Sequence, residues 1–216
     1  MLIFCTLKSI KFDSKIISLL DKEALLAPLL QMLHGLKPMS NELVAALTKC
    51  FSPEKINKNA MLLREGDVCT SLCVLSDGIL RMFHNIEDKE VTSRIMFKGH
   101  MAMSPGSFFT QTAARESIEA LTDSIVIRIS FNQLQYIYEK FPEFNYHTRL
   151  IIEQYFYNQE QRLYMLRKQD APSKYLYFIE NFEEIMQQIP QKYIASFLHI
   201  TPETLSRTRK KLSEGK

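Results

Sequence analysis

The side chains best suited to chemistry lie near the end of the sequence. Four polar residues recur there at spacings of three and four, so a helix would present them on one face: Glu203, Ser206, Arg207 and Lys210. A carboxylate accepts a hydrogen bond from cytosine N4, and a guanidinium donates two to guanine O6 and N7. This row predicts a surface that contacts the edges of DNA bases.

The helix that would carry this row has a clear beginning. Thr201 can accept a backbone N–H as the N-cap. Pro202 suits the first helical position because its φ is fixed and it has no N–H to lose. Leu205 and Leu212 lie seven residues apart on another side, which predicts an apolar face that packs against the rest of the protein.

A second helix is predicted just upstream, within residues 189–198. Its Ile194 and Leu198 would supply apolar contacts, and Ala195 is small enough to let a neighbouring helix approach closely. The two helices and the short turn between them indicate a helix-turn-helix whose second helix could lie in a DNA major groove. The alternative is a surface helical hairpin with a solvated charged face.

Residues 189–212 resemble the DNA-binding element of the cyclic-AMP receptor protein (Crp/Fnr) superfamily of bacterial transcription regulators. In that family a Glu and an Arg four residues apart on the recognition helix contact base edges, and Glu203 and Arg207 have this spacing. The resemblance implies that these two specify bases. The residues expected to contact phosphates are Lys192, Thr201, Ser206, Lys210 and Lys211.

Two residues depart from the family pattern. His199 occupies the turn position where Gly is usual, and Pro202 stands where the founding member has a third base-reading side chain, an Arg. The second departure implies a different target sequence.

Positive charge is concentrated at the same end of the sequence. The whole chain of 216 residues has a net charge of +3, whereas residues 190–216 contain six basic and two acidic residues, a net of +4. Such a concentration is what phosphate contact and counterion release require. A lysine-rich end that serves only solubility would have the same composition.

The reactive side chains predict neither a metal site nor a catalytic site. The four cysteines, Cys5, Cys50, Cys69 and Cys73, lack the spacing of a disulfide framework, and the last two are expected in the core of a strand region. The histidines are scattered. No apolar run approaches the ~18 residues that a membrane helix needs. We therefore expect a cytoplasmic protein with no required cofactor and no membrane partner.

Residues 1–55 are expected to form helices that pack on the next unit. Apolar residues recur at helical spacing from Ala24 to about Gly35 and from Ser40 to Phe51, with Pro38 between them. Four apolar residues between positions 16 and 20 indicate a further helix.

Short strands are predicted from about Ile56 to Ser130, where the apolar period changes to two. Isoleucines alternate with other residues over 125–129. Ser76-Asp77-Gly78 predicts a hairpin turn between two apolar runs, and residues 85–89 predict a second turn. Many short strands with regular turns indicate a barrel or sandwich.

Residues 62–67 (LLREGD) and 75–78 (LSDG) resemble the opening of the cyclic-nucleotide-binding β-roll of the same superfamily. The resemblance implies an α+β fold with a β-roll, a double-stranded β-helix or jelly roll, over residues 56–141. A long dimerisation helix over 142–169 and a C-terminal domain of winged-helix type, with the helix-turn-helix, over 170–216 would follow.

The cassette that holds a cyclic nucleotide is altered in this sequence. In family members that bind one, a Glu after a Gly holds the ribose, and an Arg followed by Ser or Thr holds the phosphate. Here Ser107 follows Gly106, and Glu116 separates Arg115 from Ser117. We expect an effector pocket at Gly106, Ser107, Arg115 and Ser117 that does not bind cyclic AMP in the usual way; the effector is unknown.

The long helix is predicted from an uninterrupted stretch after Pro142, a residue that suits a helix start. This helix has more apolar surface than packing against one domain would bury. The residues concerned are Phe144, Leu150, Ile151, Tyr155, Phe156, Leu163 and Leu166. In the superfamily the equivalent helix pairs with its twin, so we predict a homodimer through residues 142–169 with two recognition helices about one DNA turn apart. The alternative is a helix packed only on its own β-roll.

One more helix is predicted over residues 173–186, after a break at Asp170-Ala171-Pro172. It would form the base on which the helix-turn-helix rests.

The leading hypothesis is a homodimeric transcription regulator that binds double-stranded DNA, with RNA polymerase as a further partner. A second hypothesis is a small-molecule-binding β-roll whose C-terminal helices bind a protein partner and not DNA. A third is a cupin-like barrel enzyme, which would need clustered metal ligands or an acid–base constellation. The sequence contains neither, so we expect no enzyme activity.

Overall fold

The computed structural model describes residues 22–214, and the helix predicted at residues 16–20 lies outside this range, as does Cys5. Two helices open the described chain, α1 (Lys22–Leu36) and α2 (Asn41–Cys50). The Ser40 hydroxyl accepts a hydrogen bond from the N–H of Leu43, which confirms the predicted N-cap of α2.

Eight short strands follow and form two antiparallel sheets. They are β1 (Ser52–Ile56), β2 (Met61–Leu63), β3 (Ser71–Asp77), β4 (Ile79–Ile86), β5 (Lys89–Phe97), β6 (Met101–Ala102), β7 (Ser117–Ala120) and β8 (Ser124–Ser130). The first sheet has the order β1-β8-β3-β6 and the second the order β2-β7-β4-β5. A short helix, α3 (Pro105–Thr110), connects β6 to β7. The predicted β-roll is therefore confirmed, although it begins at Ser52 rather than near Ile56.

The hairpin predicted at Ser76-Asp77-Gly78 is wrong, because β3 and β4 belong to different sheets. The chain crosses from the first sheet to the second at Gly78, which has a φ of 91°. A Cβ at this position would lie 2.2 Å from the hydroxyl oxygen of Ser124, so only glycine fits. The second predicted turn is confirmed: β4 and β5 form a hairpin through Glu87 and Asp88, both with positive φ, as in a type I′ turn.

The rest of the described chain is helical. It contains α4 (Phe131–Lys140), α5 (Phe144–Arg167), α6 (Ala171–Phe182), a 3-10 turn (Met186–Gln188), α7 (Gln191–Phe197) and α8 (Pro202–Glu214). The long helix α5 begins two residues after Pro142. Helix α6 begins earlier than predicted. The Asp170 carboxylate caps it by accepting the Ser173 N–H at 2.7 Å. No strand occurs between residues 171 and 214, so this part holds no wing.

Two apolar cores organise the molecule. The first joins both sheets to α1, α2 and α4. The second is shared between the second sheet and the C-terminal helices, because Ile79, Ile95 and Phe97 of the sheet cluster with Phe178 of α6 and Phe197 of α7. The C-terminal domain is thus packed directly on the β-roll. None of the helices described here is long and apolar enough to cross a membrane.

Candidate nucleic-acid interface

The turn between α7 and α8 closes α7 in a Schellman motif. The Ile200 N–H donates to the carbonyl of Ala195, and the His199 N–H donates to the carbonyl of Ser196. His199 has a φ of 51°, in the left-handed region that favours glycine. This backbone conformation explains why glycine is usual at the position, and the turn keeps its geometry with histidine in its place.

Helix α8 begins as predicted. The Thr201 hydroxyl oxygen accepts the N–H of Thr204 at 3.1 Å, and the Thr201 carbonyl accepts the N–H of Leu205 at 2.9 Å. Pro202 is the first helical residue. Because the Thr201 side chain is used for this cap, its main local effect is to fix where α8 starts.

The two faces of α8 separate as the sequence predicts. Leu205 is 0% exposed and Thr208 6% exposed, and Leu212 packs against the second core. The polar row is exposed, and so are the neighbouring basic residues: Glu203, Ser206, Arg207, Arg209, Lys210 and Lys211. Lys192, at the start of α7, is exposed as well. The side chains proposed to contact DNA are thus available, and their roles remain predictions.

The carboxyl group of Glu203 is held in its ionised form. Its own backbone N–H, the Thr201 hydroxyl and the nearby Arg207 charge lower its pKa, in that order of effect. The side chain is therefore a hydrogen-bond acceptor at neutral pH, as contact with cytosine N4 requires.

Helix α7 is fixed to the β-roll by polar contacts that the sequence analysis missed. The Arg81 guanidinium of β4 stacks over the Tyr193 ring of α7, with 3.8 Å from Cζ to the ring centroid. The Ser196 hydroxyl of α7 accepts the backbone N–H of Thr92 of β5 at 2.8 Å. These contacts join two segments about 100 residues apart, so no local pattern could have revealed them.

Arg81 is the centre of this docking contact. It is 1% exposed, forms an ion pair with Glu119 at 2.6 Å between Nε and Oε1, and forms a second ion pair with Glu90. Its guanidinium also lies over the Phe83 ring, 4.1 Å from the centroid. The charge is thus paired and stacked, as a buried arginine requires.

One face of α5 packs on the molecule, and another is exposed and apolar. Phe144 and Met165 are buried. Large apolar and aromatic side chains point to solvent along the other side: Ile152 (48% exposed), Phe156 (65%), Leu163 (44%) and Tyr164 (64%). An exposed apolar stripe of this kind is typical of an interaction surface.

The residues predicted to form an effector pocket make mainly structural contacts. The Ser107 hydroxyl accepts the Cys69 N–H at 2.8 Å, and the Ser117 hydroxyl accepts the Glu65 N–H at 2.9 Å. Arg115 and Gly106 are exposed. The two serine hydroxyls are thus used within the fold, and an effector role for the four residues remains a prediction.

An apolar cavity of about 100 Å³ lies between the first sheet, α1 and α5. Its lining includes Leu33, Val74, Met101, Phe108 and Ile151. The lining also contains Tyr138, Thr148 and Gln154, but it has no cationic side chain that could pair with a phosphate. Cys69 and Cys73 are buried, as expected, and no group of residues in the described chain has the composition of a metal site.

Comparisons with known proteins agree with this architecture. Residues 53–141 match the family model of the cyclic nucleotide-binding domain. No curated protein matches the sequence.

The fold is similar to that of FixK2 from Bradyrhizobium japonicum, with a TM-score of 0.67 and 14% identity over 76% of this chain and 85% of that chain. It is also similar to the fold of the c-di-GMP-responsive global regulator CLP from Xanthomonas campestris, with a TM-score of 0.65 and 13% identity over 82% of this chain and 93% of that chain. A transcriptional regulator of the crp/fnr family from Eubacterium rectale has a TM-score of 0.62 and 17% identity, over 82% of this chain and 85% of that chain. The resemblance to the Crp/Fnr superfamily is confirmed at the level of the fold.

Proposed function

We propose that this chain, which has the fold of Crp/Fnr transcription regulators, is itself a homodimeric regulator and not an enzyme. It binds specific sites in double-stranded DNA through α8. The observation that carries the proposal is the exposed row on α8, in which Glu203 and Arg207 point away from a core that fixes the rest of the helix.

Recognition by α8 depends on its rigid support. Leu205 and Thr208 anchor the helix from below, and the Thr201 cap fixes its first turn. Arg207 then donates to guanine O6 and N7, while the carboxylate of Glu203 accepts from cytosine N4. Lys192, Lys210 and Lys211 contact phosphates and set the register of the helix on the duplex.

The exposed stripe on α5 supports dimerisation. Pairing of Ile152, Phe156 and Leu163 with the same residues of a second copy would bury apolar surface that a monomer leaves in water. A two-fold dimer also presents two copies of α8 to successive major grooves, which gives the affinity and the site length that one short helix lacks.

The test is selection of bound duplexes from a random pool, followed by affinity measurements on the selected site and on random DNA over a range of salt. We expect a steep fall in affinity with salt, because phosphate contacts release counterions. Arg207→Ala should weaken binding to the selected site by about 1–3 kcal/mol and reduce discrimination at one base pair.

The matched control is Arg209→Ala, which removes the same charge from another side of α8. We expect it to weaken binding to selected and random DNA alike. Equal losses for the two variants on both DNAs would contradict base contact by Arg207. If no duplex binds at low salt, DNA recognition is refuted and a protein partner for α8 becomes the better hypothesis.

A further inference from the structure

Arg162 on α5 is a partly buried cation, and two of its donor atoms have no hydrogen-bond partner in the described part of the chain. Its Nε and Nη2 atoms are inaccessible and have no hydrogen-bond acceptor within the described chain. The guanidinium lies over the ring of Phe197 in α7, with Cζ 4.9 Å from the ring centroid. Burial lowers the pKa of Arg162, and the charge of Arg94 lowers it further. A guanidinium with unused donors in such a place is costly unless something occupies it.

Arg94 of β5 is the β-roll residue whose charge affects Arg162. Its guanidinium donates at 3.4 Å to the Tyr155 hydroxyl and at 3.5 Å to the Met101 carbonyl, both of which are neutral. Burial lowers the pKa of Arg94, and Tyr155 and the Glu116 carboxylate oppose that shift. Glu116 makes no ion pair with Arg94.

Two more basic groups approach from the C-terminal domain. Lys174 of α6 is 8% exposed and forms no ion pair with a described residue. Partial burial lowers the pKa of His199 in the α7–α8 turn, and the charges of Arg162 and Lys174 lower it further. Arg162 also affects the pKa of Tyr177 of α6, whose hydroxyl has no hydrogen-bond partner among the described residues.

Other arginines of the β-roll form ion pairs with carboxylates, whereas Arg94 and Arg162 form none with a described residue. Arg81 has two carboxylate partners, and Arg128 pairs with Glu54 at 2.7 Å. Arg94 instead donates to the Tyr155 hydroxyl, and the groups that affect the charge of Arg162 are Tyr177, Arg94 and Tyr155.

We propose that Arg162, Arg94, Lys174 and His199 form an anion-binding site at the junction of the β-roll, α5 and the C-terminal domain, and that its ligand is a small phosphate-bearing molecule. Guanidinium groups present paired N–H donors that match phosphate oxygens. The Tyr155 hydroxyl accepts from Gln159 and Arg94 and keeps its own hydrogen to donate. The site is separate from the altered cassette at Arg115 and Ser117.

An anion in this position contacts the β-roll, the long helix and the C-terminal domain together. Its binding would therefore favour the docked arrangement of α7 on the second sheet over any arrangement that separates Arg94 from Lys174. This consequence for DNA binding rests on the proposed function, whereas the binding site itself does not.

The test uses inorganic phosphate and pyrophosphate added to the full chain without DNA, at constant ionic strength. Thermal unfolding and calorimetric titration are the readouts. We expect pyrophosphate to bind and, at a hundredfold excess over its Kd, to raise the Tm by about 5–10 °C. Arg162→Met should weaken this binding at least tenfold.

The matched control is Arg149→Met, which removes a guanidinium from the exposed side of the same helix, where it pairs with Glu153. It should bind pyrophosphate as the unaltered chain does. Without the anion, Arg162→Met should unfold at a temperature no lower than the unaltered chain, because it removes N–H groups that have no partner.

Three results would refute the proposed site. The first is that pyrophosphate does not bind the unaltered chain, the second is that it binds Arg162→Met as tightly as the unaltered chain, and the third is that Arg149→Met weakens its binding as much as Arg162→Met does. The last two would assign the anion to the basic surface of α8 or to general screening. Because no DNA is present, none of them bears on whether α8 binds a duplex.

Discussion

The contact between Arg81 and Tyr193 is the most direct way to test how the C-terminal domain sits on the β-roll. Replacing Arg81 by Met removes a guanidinium that is 1% exposed and leaves Glu119, 18% exposed, without its cation. Breaking a buried pair in this way costs about 3–5 kcal/mol, and the partial exposure of Glu119 places the expected value near 3 kcal/mol. Denaturant unfolding measures this as a lower midpoint with an unchanged slope.

Arg128→Met is the matched control, since Arg128 also pairs with a carboxylate in the β-roll but is 33% exposed, and its partner Glu54 is 41% exposed. We expect this substitution to lower the free energy of unfolding by no more than about 1 kcal/mol, because solvent screens the ion pair.

A double-mutant cycle then isolates the docking contact. Arg81→Met and Tyr193→Leu, alone and together, should show a coupling of about 1–2 kcal/mol, the value of a desolvated cation–π pair at 3.8 Å. Additive effects of the two substitutions would refute the docking of α7 on β4. Equal losses for Arg81→Met and Arg128→Met would refute the burial argument.

Three further substitutions or reactions test other parts of the structure. Gly78→Ala should destabilise the chain by about 2–5 kcal/mol in denaturant unfolding, because its Cβ would overlap Ser124 at a positive φ; a neutral effect would contradict the crossing at this residue. Burial raises the pKa of Cys73 to about 12, so at pH 8 a thiol reagent should label Cys50 in the folded chain and Cys73 only after unfolding, as located by mass spectrometry. Since that pKa exceeds the ordinary thiol value of 9.0, the Cys73 contribution to stability is complete below about pH 9 and is lost as the pH rises toward 12. Phe156→Asp should convert a dimer to a monomer in sedimentation equilibrium, and an unchanged mass would exclude this face of α5.

Local signals in the sequence predicted those parts of the fold that local physics determines. Caps such as Ser40 and Thr201 depend on a hydroxyl and a backbone N–H three residues later, so their positions could be predicted to the residue. The faces of α8 follow from helical periodicity in the same way. Strand β1 was missed because Pro53, Glu54 and Lys55 interrupt the apolar alternation, and only pairing with β8 makes this segment a strand.

Pairings between distant residues could not be predicted in this way. Gly78 marks a change of direction, but whether the next strand pairs with the last depends on the whole sheet order. Arg162 looks like one of several charges on a helix, and its burial arises only when Phe197 packs over it. The same holds for Arg81, whose partners come from β5, β7 and α7.

The docking of α7 limits how any effector of this protein could act. Three kinds of contact fix α7 to the second sheet: the stack of Arg81 on Tyr193, the hydrogen bond from Thr92 to Ser196, and the apolar cluster around Phe197. A ligand shifts an equilibrium only by the difference in its affinity for the two states. A molecule that occupies the β-roll without changing these contacts would leave α8 where it is. An effector must therefore contact both sides of this junction, or alter the β4–β5 hairpin that forms its base, to change how α8 is presented.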